Sequence, residues 1–248
     1  SGGIDSSAVT AFMAMVSTAP IKTFTVGFAD EIDERPFAKL VADRYKTDHT
    51  EILINDKVED VLEDVIGYFD EPFGDSSAIP THLVSKEARK YVKVILTGDG
   101  GDELFAGYES YLNQKYQYGH RVLSRAYKEL NRLCIRLLKT GQLERLYPKR
   151  QIKGAFEHWI WVRTIMSEHE IHSMIGEKSL DITKFFRNNH WFKLLDKDPL
   201  SQAFMHDLNY YLPDDLLKKV DMASMLASLE CRAPFLDHRL AEFAMKIP

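Results

Sequence analysis

Two short stretches carry residue types suited to phosphate and metal chemistry: "SGGIDSS" at residues 1–7 and "GDGGDE" at residues 98–103. In the first, glycines let the backbone turn tightly and approach a ligand, and the serines open a helix whose free N–H groups attract anions. The lysine with which a conventional phosphate loop reaches the β/γ-phosphates is absent, as is its longer glycine-rich arc. The loop is therefore expected to hold a phosphate placed differently. In the second stretch, three glycines and three carboxylates within six residues make a poor core and a plausible metal and phosphate site. Magnesium takes oxygen ligands and bridges carboxylates to phosphates. Asp5 and Asp102 are the candidate metal carboxylates, and a cation between them would also relieve their repulsion from ATP. A solvated acidic turn is the plain alternative.

These residues need a scaffold that brings the two stretches together. "SSAVTAFMAMV" reads as a helix packed on its apolar residues; Pro20 and the strand-like "IKTFTVGF" follow. A helix is expected through "DERPFAKLVADRY", a strand in "HTEILI", and a helix from the spacing of Val58, Val61, Leu62, Val65 and Ile66. After the turn at "DEPFGDSS" another helix leads to the β-rich "VKVILT". This repeated order predicts a mostly parallel sheet covered by helices on both faces, with its ligand outside the C-terminal ends of the strands. Val26 and Gly27 stand at one such end, and Thr97 with Gly98 at another. The expected architecture is an α/β nucleotide-binding core over residues 1–110 joined to a helical part over 111–248. Within that part, 111–205 forms a helical extension and 206–248 returns toward the core.

Composition narrows the class. With 248 residues and 45% hydrophobic content the chain is globular, and a formal charge of −5 argues against a nucleic-acid partner that needs a broad positive field. Two cysteines, Cys134 and Cys231, form neither a redox pair nor a zinc pattern, which favours a reducing, cytoplasmic setting. No apolar stretch approaches transmembrane length, so no membrane partner is expected. Oligomeric state is not legible.

Five ordered segments, "SGGIDSS", "TFTVGF", "DEPFGDSSAIPTHLVS", "TGDGGDELFAGY" and "YLPDDLLKKVDMASMLASLECRAPFLDHRLAEFA", reach from one end of the chain to the other. Together they resemble the synthetase domain of glutamine-hydrolysing asparagine synthetases, in the ATP pyrophosphatase superfamily. The resemblance implies a doubly wound, mostly parallel sheet of the adenine nucleotide α-hydrolase-like type with a helical extension. It implies that ATP activates the side-chain carboxylate of aspartate as a β-aspartyl-adenylate, releasing pyrophosphate, and that ammonia then displaces AMP. Ser1, Gly2, Gly3, Ser6 and Ser7 match the pyrophosphate loop; Asp5 and Asp102 match the magnesium-linked carboxylates. Val26, Gly27 and Gly98 map to the adenosine-binding region, and Thr97 is a further cofactor-binding candidate. Asp99 stands where some members carry glutamate, with a substrate-orienting or proton-transfer role set against loop shaping.

Other residues are less committed. Lys218 and Lys219 precede "VDM", where relatives often have arginine after the aspartate and this chain has Met222. Arg232 and Asp237 lie in a matching segment, with ion pairing as their plain role. His169 and His172 read as surface residues; Tyr116, Tyr118, Tyr127, Trp159, Trp161 and Trp191 read as packing, and Cys134 as structural. The resemblance also leads us to expect a truncated synthetase. A strand before Ser1, an N-terminal glutaminase domain and a basic residue beyond Pro248 would lie outside it, leaving ATP binding with weak turnover. Another adenylating enzyme, such as a β-lactam synthetase-like ligase, and an inactive nucleotide-binding module are the alternatives.

Overall fold

The computed structural model describes residues 1–28, 33–54, 59–112, 114, 155–164, 174, 176, 185–186, 188 and 198–247. The chain divides into two units, Ser1–Phe105 with Tyr210–Pro248, and Ala106–Asn209.

In the first unit, α1 (Ile4–Val16) is followed by β1 (Lys22–Phe28), α2 (Arg35–Tyr45) and β2 (Asp48–Ile54). β1 and β2 pair in parallel with Val26 opposite Ile52. Parallel neighbours need a crossover rather than a tight turn, and α2 supplies it. Pro36 suits its first turn, where no N–H is required, and Lys46 ends it in the left-handed region at φ 53°. Because strand side chains alternate, Phe24, Val26, Ile52 and Ile54 share one face. There they pack with Val61 of α3 (Glu59–Tyr68) and with Ile79, Leu83 and Val84 of α4 (Ala78–Arg89). α2 touches both strands, burying Ala38 and Ala42, and its Arg35 lies over Gly27, a position of the opposite face.

β3 (Val94–Leu96) runs into α5 (Gly101–Phe105). Two further helices, α6 (Ala155–Arg163) and α7 (Pro199–His206), belong to the second unit. A π-helix, Asp207–Leu217, then leads into α8 (Lys218–Leu226), β4 (Glu230–Arg232), a 3₁₀ turn at Pro234–Leu236 and α9 (His238–Ala244). β4 pairs with β3 in parallel, Ile95 opposite Cys231, and Thr97 extends the ladder by donating its N–H to Arg232 O at 2.9 Å. α8 packs on α3, α4 and β4; Ala223 is fully buried, and its carbonyl accepts from His82 Nδ1 at 3.1 Å.

The result is an α/β arrangement with parallel strands. Among the described residues, however, the four strands form two separate pairs, β1 with β2 and β3 with β4, rather than the single sheet expected from the alternation. No described helix is long and apolar enough to cross a membrane.

The second unit is organised by one carboxylate. Asp207 is fully buried and accepts from Tyr111 Oη (2.7 Å), Trp159 Nε1 (3.1 Å), Arg163 Nη2 (2.5 Å) and His206 Nδ1 (3.1 Å). A buried charge is tolerated when paired and hydrogen-bonded, and these donors meet that demand. Tyr111 stacks on Trp159 and Phe204, and the Arg163 guanidinium lies 4.8 Å from the Trp159 ring centre. Trp159 thus has the packing role expected of it. Tyr116, Tyr118, Tyr127, Cys134, His169, His172 and Trp191 lie outside the described residues, as does Val58, and the Trp161 side chain is likewise outside them. Replacing Asp207 by Asn removes the buried charge with which Arg163 pairs. The expected loss is about 3–5 kcal/mol, read as a lower urea midpoint and as faster amide exchange in α6 and α7. An unchanged midpoint would show that the charge is dispensable.

Candidate active site

The opening loop is shaped by its own hydroxyls and by α2. Gly2 has φ +90°, and a Cβ there would stand 2.5 Å from Phe37 Cβ, so any side chain would be both strained and blocked. Ser1 Oγ lies 2.8 Å from Ser6 Oγ and accepts from Gly3 N at 3.2 Å; Ser6 Oγ donates to Gly3 O at 3.2 Å. Ser7 N reaches Gly3 O at 3.0 Å and closes the first turn of α1. No side chain caps that helix, and its N-terminal N–H groups suit an anion.

The acidic loop is pressed against this one. A Cβ on Gly98 would stand 3.0 Å from Asp5 Cβ and from Ser6 N, and a Cβ on Gly101 would stand 2.5 Å from the Asp5 carboxyl carbon. The Asp5 carboxylate therefore sits against bare backbone at the start of α5, whose first turn carries Asp102. Burial, then the charge of Asp102, pushes the Asp5 carboxyl above the ordinary carboxylate range. A carboxylate whose charge is disfavoured by burial and by a neighbouring carboxylate makes a fitting seat for a cation. Among the described residues no group of three or more histidine, cysteine, aspartate or glutamate donors assembles. A magnesium ion here would complete its shell with phosphate oxygens and water, as that ion prefers.

Ser1, Gly2, Gly3, Asp5, Ser6, Ser7, Gly98 and Asp102 are thus brought into one neighbourhood. Val26 and Gly27 lie at the end of β1, tied to it indirectly: Arg35 covers Gly27 while Phe37, two residues on, meets Gly2. Asp99 and Thr97 flank Gly98 in the chain. They line a cavity of about 250 Å³ with Leu217, Val220, Asp221 and Cys231.

The asparagine synthase family model matches residues 1–248. The chain belongs to the asparagine synthase family. It is 44% identical over 115 residues to a putative glutamine-hydrolyzing asparagine synthetase 2 of Methanocaldococcus jannaschii, covering 46% of this chain and 22% of that protein. It is 30% identical over 273 residues to a putative glutamine-hydrolyzing asparagine synthetase of Mycobacterium tuberculosis, and 28% over 256 residues to glutamine-hydrolyzing asparagine synthetase 1 of Bacillus subtilis. Both matches cover all of this chain but 38% and 40% of those relatives, so the chain spans about two fifths of their length.

Within this family member, the less committed residues are engaged structurally. Lys219 Nζ donates to Asp75 Oδ2 at 2.8 Å, and Lys218 pairs with Glu71, so both lysines hold the "DEPFGDSS" loop. Burial would raise the Asp75 carboxyl, but hydrogen bonds from Lys219 and Ser77 outweigh it and hold it low. Met222 packs against the cluster of Val65, Phe69 and Ala78. Arg232 pairs with Glu230 at 2.7 Å on the surface; Asp237 caps α9 through Arg239 N and binds the Arg239 guanidinium at 2.9 Å. The Cys231 thiol is pushed up by burial and by Asp99 and Asp221, unsuited to a nucleophile.

Two residues escaped the sequence reading. Asp221 shares the cavity of Asp99, a position signalled by its i+4 spacing from Leu217, and Arg35 shields Gly27 with no local signal.

The close approach of Asp5 yields a paired test. Gly101→Ala should cost about 1–3 kcal/mol by overpacking, whereas Gly67→Ala, whose Cβ meets nothing within 4 Å inside α3, should gain about 0.5–1 kcal/mol. Urea unfolding of both variants reads the contrast, and equal effects would contradict it. Asp5 gives a pH test. A carboxyl whose folded pKa is raised binds its proton more tightly folded than unfolded. It costs nothing below the unfolded pKa and destabilises as pH rises from there through the folded value. Asp5→Asn should therefore raise the urea midpoint at about pH 7 and leave it unchanged at about pH 3. A gain of equal size at both would rule out the charge.

Proposed function

We propose that this chain is the ATP-dependent ligase part of a glutamine-hydrolysing asparagine synthetase. The observation that carries the reading is the Asp5 and Asp102 pair seated between the opening loop and α5, which suits a cation beside phosphate. In this reading Ser1, Gly2, Gly3, Ser6 and Ser7 hold pyrophosphate through hydroxyls and N–H groups, and Val26, Gly27, Thr97 and Gly98 border the adenosine. Magnesium held by Asp5 and Asp102 would offset the phosphate charge.

The side-chain carboxylate of aspartate attacks the α-phosphorus of ATP, giving β-aspartyl-adenylate and pyrophosphate. Ammonia attacks the activated carbonyl, AMP leaves, and a proton lost from nitrogen completes asparagine. Asp99, in its cavity beside the acidic loop, orients the substrate amine or accepts that proton. In the parent protein a glutaminase domain supplies the ammonia, as the names of the relatives indicate. The reading carries with it the doubly wound sheet of the ATP pyrophosphatases.

Calorimetry with magnesium and ATP tests the pair. Asp102→Asn should weaken binding about tenfold to a hundredfold, the loss of one charged contact worth about 1.5–3 kcal/mol. Unchanged affinity in the folded variant would remove Asp102 from the site. In the complete protein, labelled pyrophosphate should exchange into ATP with aspartate and far less with glutamate. A preference for another carboxylate would redirect the substrate assignment.

A further inference from the structure

The acidic loop is held by more than Asp5. Thr97 N–H donates to Arg232 O at 2.9 Å, tying the start of the loop to the end of β4, and beyond the loop the Phe105 ring meets Phe235 edge to face at 6.1 Å. Between these ties the chain passes Gly100, which is buried and has φ +87°. A Cβ on Gly100 would stand 2.3 Å from Leu236 Cδ2 and 2.7 Å from Leu236 Cγ. Leu236 therefore fills the space that a side chain at residue 100 would need, and glycine is required there for its backbone angle as well.

Leu236 ends the 3₁₀ turn Pro234–Leu236, and its N–H reaches Ala233 O at 3.0 Å. The turn is well braced: Pro234 fixes the first φ, and Asp237, the next residue, caps α9 by accepting from Arg239 N. The leucine side chain has a second role in the packing. With Asp99, Thr97, Asp221, Cys231 and Ala233 it lines the cavity of about 250 Å³. The same side chain thus bounds the space beside Asp99 and presses on the residue that follows Asp99 in the chain.

The metal pair is held differently. Gly98 and Gly101 pack against Asp5, and Leu104 N bonds Gly100 O at 3.1 Å at the start of α5, whose first turn carries Asp102. Cutting back Leu236 leaves the contacts of Asp5 in place and removes a wall from the space beside Asp99. Misplacing a reacting group by about 1 Å can cost about a hundredfold in rate.

We propose that Leu236 is a positioning residue for Asp99: wedged against Gly100, it fixes the backbone between Asp99 and α5 and so sets the Asp99 carboxylate toward the aspartate substrate, an assignment that rests on the ligase reading. It acts on the amino-acid half of the site and leaves the magnesium and nucleotide half to Asp5 and Asp102.

Two cycles of substitutions test it. In the 248-residue chain, Gly100→Ala, Leu236→Ala and the double variant are unfolded in urea. Alanine at residue 100 should lower the folding constant about tenfold less when Leu236 is already cut back, because the added methyl then enters vacated space. Additive losses overturn the wedge. In the complete protein, Leu236→Ala should lower kcat/KM for aspartate about tenfold or more while the Kd for magnesium and ATP stays within about twofold. Made in Asp99→Asn, the same change should bring a further loss of about twofold at most, since the group it positions is already gone. A full further loss in that background, or a fall in nucleotide affinity equal to the fall in kcat/KM, makes Leu236 a merely structural residue and overturns the proposal. Should Leu236→Ala fail to fold, Leu236→Val takes its place with the same order of effects expected. A complete, unsubstituted protein without aspartate turnover overturns the ligase reading and the positioning assignment with it. Turnover accompanied by either of the two contrary patterns overturns the positioning assignment alone.

Discussion

Asp5 can lie where it does because residue 101 has no side chain. Its carboxyl carbon occupies space within 2.5 Å of where a Cβ would be, and the neighbouring Gly98 admits the backbone of Asp5 and Ser6 equally closely. That contact locks the start of α1 to the start of α5, so two segments almost one hundred residues apart present one surface. It also holds Asp5 partly buried and within the field of Asp102, which is why its carboxyl resists ionisation. The strain of like charge and the attraction for a cation are one property of this geometry.

α8 performs the corresponding task for the later loops. One side of the helix reaches the α3–α4 region through Lys219 to Asp75, Met222 to the Phe69 cluster, and the Ala223 carbonyl to His82. The other side offers Val220 and Asp221 to the cavity of Asp99. At its end Ser228 turns in the left-handed region at φ 58°, and its carbonyl accepts from Arg89 Nε at 2.8 Å before the chain enters β4. Displacement of the "DEPFGDSS" loop would therefore be felt by the residues facing Asp99, through packing rather than through any shared ligand.

The division of labour between the lysines and Met222 has a physical basis. Lys218 and Lys219 each have a carboxylate partner on the loop, so their charges are already committed. Met222 lies against apolar side chains, where a charge would lose solvation.

Local order was legible from the residues alone. Strand alternation in "IKTFTVGF" and "HTEILI" and helical spacing in the intervening segment placed β1, α2 and β2 within about two residues, because periodicity acts over neighbours. The two glycine-rich loops stood out too, and the structure brings them into close approach. What the tertiary structure alone decided was long-range: that among the described residues β1 with β2 and β3 with β4 form separate pairs, and that Asp99 and Asp221 share one cavity. It also set the lysines against carboxylates about 145 residues away. Pattern records which face of an element is apolar. It does not record which distant element covers that face, because that choice depends on how all the elements share one volume.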